Sequence, residues 1–100
     1  MKVGIRFSPQ ALAQVQAAHA WWKKNRPSAP RLLRDELAEA LQLLRTSPGA
    51  GAPYSHRRLR DVRRLVLPST RYYLYYLTGP EGVTILAVWS SLRGRAPQLR

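Results

Sequence analysis

The sequence predicts an α+β domain in which a helical hairpin packs on an antiparallel-rich sheet, in the order strand, helix, helix and three strands. Three observations predict it. A strictly alternating segment opens the chain, two stretches with helical spacing follow, and the remainder holds three β-rich runs separated by short turn sequences. The 100 residues suffice for one compact domain and are too few for two, so residues 1–100 are expected to form a single unit.

Lys2 to Phe7 alternates between Val3, Ile5 and Phe7 on one side and Lys2, Gly4 and Arg6 on the other, the period of a half-buried strand. Ser8-Pro9 then reads as an N-cap followed by proline at the first helical position, where a missing N–H costs nothing. Leu12, Val15, His19 and Trp22, flanked by Ala11 and Ala18, recur at helical spacing to about Asn25, and Arg26-Pro27 ends the run. Of Trp21 and Trp22, both read as packing anchors, one is expected near the surface. His19 reads as a packed histidine, because no second ligand lies one turn away.

Ser28 is placed to cap a second helix with Pro30 in its first turn, and Leu33, Leu37, Leu41 and Leu44 form its apolar stripe. Asp35, Glu36 and Glu39 share this helix with Arg31, Arg34 and Arg45, so three of the chain's five acidic residues are assigned to a solvated face. Thr46 to Pro53 reads as a loop and Tyr54 to Arg60 as a basic, irregular segment. Strands are predicted over Val62–Leu67, Arg71–Leu77 and Val83–Trp89. They are joined by Pro68-Ser69-Thr70 and by Thr78-Gly79-Pro80-Glu81-Gly82 as hairpins.

The seventeen Lys/Arg against five Asp/Glu give a formal charge of +12, which predicts attraction to polyanions or to an acidic protein. With no cysteine and two isolated histidines, neither a disulfide framework nor a zinc shell is expected, and no cofactor motif is present. The opening apolar stretch is too short for a signal peptide core or a membrane span, and the composition suits the cytoplasm.

The densest charge run is Arg57, Arg58, Arg60, Arg63, Arg64 and Arg71. On a strand Arg63 and Arg64 point to opposite faces, so one lies packed along its stem with its guanidinium at the rim and the other reaches a partner. With Trp89, Arg93 and Arg95 these residues form the candidate surface for an antagonist or target. The run Tyr72, Tyr73, Tyr75 and Tyr76 suits either a packed sheet or a base-stacking surface.

Several stretches taken in order resemble the RelE/ParE superfamily of bacterial type II toxins, over roughly residues 3 to 97. They are Val3-Gly4-Ile5-Arg6-Phe7-Ser8-Pro9-Gln10-Ala11, Trp21-Trp22, Leu41-x-x-Leu44-x-x-x-Pro48-Gly49, Val62-Arg63-Arg64-Leu65, Tyr72-Tyr73-Leu74-Tyr75-Tyr76, and Ile85 to Trp89 followed by Arg93 and Pro97. The resemblance implies the fold read from periodicity and an acidic antitoxin that binds as a segment ordered on contact. It also implies one of two activities: ribosome-dependent mRNA cleavage, as in RelE-like proteins, or binding of DNA gyrase, as in ParE-like ones.

RelE-like cleavage uses alternating cations on the second predicted strand, an arginine on the third, another after the fourth, and a tyrosine or histidine near the C-terminus. Here Arg64 is followed two positions on by Val66, the third-strand position holds Tyr73, and Arg93 fills the position after the fourth. The tail Arg95-Ala96-Pro97-Gln98-Leu99-Arg100 has no tyrosine or histidine. Arginine stabilises phosphate charge but is a poor proton shuttle, since it stays protonated at working pH. Arg64 and Arg93 are therefore catalytic only on the RelE-like alternative, with His56 and Tyr54 as stray loop groups. The ParE-like reading, a protein-binding toxin, is favoured over that alternative and over a non-toxic nucleic-acid-binding relative.

Overall fold

The computed structural model describes residues 2–99. Its elements are β1 (Ile5–Phe7), α1 (Pro9–Asn25), α2 (Leu32–Thr46), β2 (Ala52–Pro53), β3 (Val62–Leu67), β4 (Tyr72–Gly79) and β5 (Gly82–Ser90). They form one five-stranded sheet in the order β1-β5-β4-β3-β2, with β1 parallel to β5 and every other pair antiparallel. The α+β prediction holds in its element order, and the helices cover one face. None of the described helices is long and apolar enough to cross a membrane.

The first strand keeps its predicted alternation but joins the ladder only at Ile5. Before that, the Val3 amide donates to the Arg45 carbonyl at the end of α2 (2.9 Å), while the Gly4 carbonyl accepts from Val83 (2.9 Å). Ser8 caps α1 as expected, its Oγ accepting from the Ala11 amide at 3.1 Å, with Pro9 inside the first turn. The inward line of α1 is Ala11, Val15, Ala18 and Trp22, so Leu12 is left 50% exposed and is no core residue. The two alanines let the helix backbone approach β5 closely, which rotates the larger Leu12 outward. Trp22 is buried and Trp21 exposed, as one of the pair had to be.

The start of α2 differs from the prediction. Ser28 and Pro30 lie in turns, and the N-cap is Arg31, whose side chain makes no capping bond. Trp22 explains the delay: its indole N–H donates to the Ala29 carbonyl (2.8 Å), and the residue before Pro30 is kept out of helical conformation by the proline ring. Glu36 is also not merely solvated. Its carboxylate accepts from the amides of Ser69 (2.8 Å) and Thr70 (2.9 Å) and from Thr70 Oγ1 (2.7 Å), tying α2 to the β3–β4 turn. Arg71 belongs to that turn and not to the strand, because it sits at φ +65°, in the left-handed region.

Sheet alternation then divides the side chains. Leu65, Leu67, Tyr72, Leu74, Tyr76, Val83, Ile85 and Val88 meet the helices in the main core. Val62, Tyr75, Leu86, Ala87 and Leu99 form a second cluster on the other face, with Tyr54, Leu59, Tyr73, Leu77 and Trp89 packed against it. A bulge in β5 makes this division possible. Tyr76 pairs with Ile85 and Tyr75 with Ala87, so Leu86 is an extra residue, and Val88 and Trp89 change faces relative to an even count.

The short β2 falls inside the predicted loop. It exists because Gly51 lies against Tyr76: a Cβ on Gly51 would stand 2.7 Å from the Tyr76 hydroxyl and 3.0 Å from the Arg64 carbonyl. That hydroxyl, fully buried, donates to the Pro48 carbonyl (2.8 Å) and accepts from the Gly51 amide (2.8 Å). One phenol thus pins the loop to the sheet centre, and burial pushes its pKa up despite the opposing Gly51 amide and Arg63.

Candidate functional site

The face of the sheet away from the helices carries the candidate site. Arg64 on β3, Tyr73 and Tyr75 on β4, Trp89 on β5, Tyr54 after β2 and Arg93 after β5 line one concavity of about 240 Å³, together with Ser90, Ser91, Arg95 and Ala96. Each strand contributes through its period of two, and the bulge at Leu86 brings Trp89 to this side.

The two arginines are stacked on the site's own aromatic rings. The Arg64 guanidinium carbon lies 4.2 Å from the Tyr73 ring centre and 5.4 Å from that of Tyr54, and Arg93 lies 4.0 Å from the Trp89 ring. Tyr75 meets Tyr54 edge-on at 4.9 Å and Tyr73 at 6.1 Å, which fixes the floor. Burial raises the Tyr75 hydroxyl pKa, outweighing the hydrogen bond and charge of Arg64 beside it, and Tyr72 is raised by burial against the opposing Arg93. Neither phenol ionises near neutral pH. The Trp89 indole donates to the Arg95 carbonyl at 2.8 Å, holding the chain after β5 against the rim.

Stacking has a chemical consequence. A guanidinium over a ring covers that face of it, and the N–H donors not already used, as Arg64 uses one on the Tyr75 hydroxyl, remain for a carboxylate or phosphate. Among the described residues, the lining of this concavity holds no carboxylate or imidazole. The site can therefore attract and grip an oxyanion.

Not all the predicted arginines meet here. Arg63 turns toward the helix side, where its Nη1 donates to the carbonyls of Gly51 (2.7 Å) and Gly49 (3.3 Å). It braces the loop. Arg57, Arg58 and Arg60 lie exposed in the loop before β3, and Arg71 lies beyond its other end, so the charge run in the sequence is divided in space. His56 stays in that loop, its Nδ1 accepting from the amides of Arg58 and Leu59 at 3.2 Å each. Val66, 50% exposed, lies on the same strand face as Arg64. Sequence reasoning gave Tyr54 only as a stray loop group. Its place in the wall depends on β2, which two residues cannot announce in a sequence.

A sequence profile of the ParE toxin of the type II toxin–antitoxin system parDE matches residues 5–94. The chain belongs to the ParE toxin family. This family member is thus the toxin type of a type II toxin–antitoxin system, within the wider RelE/ParE superfamily. The fold agrees. The chromosomal ParDE system from P. aeruginosa contains a similar chain, with TM-score 0.71 and 16% identity over 89% of this chain and 96% of that one. YoeB from Staphylococcus aureus, solved as a dimer, gives TM-score 0.60 and 17% identity over 89% of this chain and 97% of that one. The E. coli toxin RelE, an arginine-to-alanine double mutant in the free state, gives 0.57 and 22% over 92% and 86%. At these identities the likeness is one of fold. No curated protein matches this ParE-family chain by sequence.

Proposed function

We infer that this ParE-family toxin acts by gripping another protein, with DNA gyrase as its target, and that an acidic cognate antitoxin neutralises it through the same surface. The observation that carries this reading is the pair of stacked guanidiniums, Arg64 on Tyr73 and Arg93 on Trp89. Each guanidinium takes one face of its ring from an incoming base, and its remaining N–H donors suit carboxylates. A second concavity of about 410 Å³ shares Trp89, Arg95 and Ala96 and continues to Gln10 and Gln14 on α1. An extended acidic segment seated on the arginines would have a path there, with amide side chains to meet its backbone.

The alternative, ribosome-dependent mRNA cleavage, needs a base for the 2′-hydroxyl and an acid for the leaving oxygen. Among the described residues lining the site no carboxylate or imidazole offers either, and burial pushes the Tyr75 hydroxyl further from ionising at neutral pH. Purified toxin is to be assayed for inhibition of gyrase supercoiling beside ribosome-dependent cleavage of an mRNA. Gyrase inhibition that is lost in an Arg64→Gln/Arg93→Gln double variant supports the reading. Transcript cleavage without an effect on gyrase overturns it.

A further inference from the structure

A second cationic surface is offered where the end of α1 leads into the start of α2, which Glu36 ties to the β3–β4 turn. Lys23, Lys24, Arg26, Arg31 and Arg34 occupy the first region and Arg71 the second, all exposed. The Glu36 carboxylate joins the two regions through Ser69 and Thr70, one residue before Arg71. The Trp22 indole bond to Ala29 folds the connection back on α1. Against these six cations α2 carries Asp35, Glu36 and Glu39, so positive charge stays in excess by three among them.

Three of these arginines occupy positions that local physics disfavours. Arg31 and Arg34 sit at the N-terminal end of α2, where the helix dipole repels cations and favours anions. Arg71 holds φ +65°, a conformation that glycine adopts freely and a long side chain does not. Lys23 and Lys24, in contrast, complement the C-terminal end of α1 and need no further reason. A negatively charged ligand would offset the unfavourable charge of Arg31 and Arg34 at the helix start, while the Arg71 backbone is held by its bonds to Leu67 and Ser91. The six cations are exposed on a helix end, a connection and a turn, so they reward the number of negative charges met rather than the shape of one group.

We propose that this end of the toxin binds the phosphodiester backbone of a nucleic-acid duplex, independently of base sequence and separately from the Arg64–Arg93 site. Many exposed cations over a repeating phosphate lattice release counterions on contact, and that release is what such a surface gains. An acidic peptide has the deeper, stacked site available and is the competing occupant.

Fluorescence anisotropy of a short labelled DNA duplex of mixed sequence, and of the same duplex in RNA, decides it with full-length toxin over a salt series. Two triple variants each remove three charges: Arg31→Gln/Arg34→Gln/Arg71→Gly at this end, and Arg57→Gln/Arg58→Gln/Arg60→Gln in the loop before β3. The first is expected to weaken duplex binding at least about tenfold and to flatten the log–log salt slope on DNA by roughly 2.7, the second to change the slope by less than about one. The tighter-binding duplex names the polymer. Arg71→Gly alone is expected to melt no lower than wild type while binding more weakly, which separates lost contact from lost fold. Equal effects of the two triple variants would reduce the binding to net charge and overturn the proposal. So would a loss confined to binding of poly-glutamate, which would reassign the surface to an acidic protein.

Discussion

Replacing Glu36 by alanine tests how the helical layer is fastened to the sheet. The substitution removes an acceptor of three hydrogen bonds and leaves the Thr70 amide and hydroxyl, on a residue only 5% exposed, without their carboxylate. Bonds to a charged acceptor contribute about 1.5–3 kcal/mol each when buried, and the exposed Ser69 bond contributes less. Because water reaches part of the site, we expect a total loss of roughly 2–3 kcal/mol, equivalent to a melting temperature lower by about 10–20 °C in a domain of this size. Glu36→Gln keeps one oxygen acceptor and should lose about 1 kcal/mol.

The same contacts predict a pH dependence. Burial raises the Glu36 pKa, but the hydrogen bonds from Thr70 and Ser69 outweigh it and leave the folded-state value lowered. A lowered folded pKa stabilises the fold fully above the unfolded carboxyl pKa, and the stabilisation is lost as pH falls through the folded value. The difference between wild type and Glu36→Gln should therefore be constant near neutrality and shrink below about pH 4. Thermal melts followed by circular dichroism measure it. A Glu36→Ala protein melting with wild type, or a difference that ignores acid, would refute the reasoning.

Three further outcomes are expected. Tyr76→Phe leaves the Gly51 amide and Pro48 carbonyl unpaired in a buried place and should destabilise by about 1–3 kcal/mol in denaturant titrations. Arg63→Ala should lower stability by about 1 kcal/mol or more by freeing the Gly49–Gly51 loop, whereas Arg64→Ala should spare stability and weaken antitoxin binding about tenfold or more in calorimetry. The affinity for that acidic antitoxin should fall steeply with added salt, chiefly through a slower on-rate in stopped-flow mixing, and a flat salt profile would contradict the charge argument.

Strand and helix placement was legible wherever one face had to be buried: the alternation of Lys2 to Phe7, the leucine stripe of α2 and the apolar runs of β3 to β5 all reappear. The errors occurred where a contact distant in sequence decided the local outcome. Ser28 is a good capping residue, but Trp22 holds the Ala29 carbonyl and Pro30 blocks the turn behind it. Leu12 looked inward because it is large, yet Ala11 and Ala18 set the phase of α1. At the site, period two separated Arg63 from Arg64, but which one braces the loop depends on Gly49 and Gly51 coming within reach. The grouping of Tyr54 with Tyr73 and Trp89 needed β2 and the bulge, and neither leaves a distinctive mark in composition.

That extra residue in β5 makes the strand a counter with one deliberate miscount. Upstream of Leu86, odd positions such as Val83 and Ile85 serve the interior. Downstream, it is the even Val88 that does so, and odd Trp89 is released to the arginine side. Losing Leu86 or Ala87 would let the strand alternate evenly, with Val88 still interior and Trp89 still on the arginine side. In this toxin the bulge thus marks where β5 can absorb a one-codon gap without moving the wall of the binding surface.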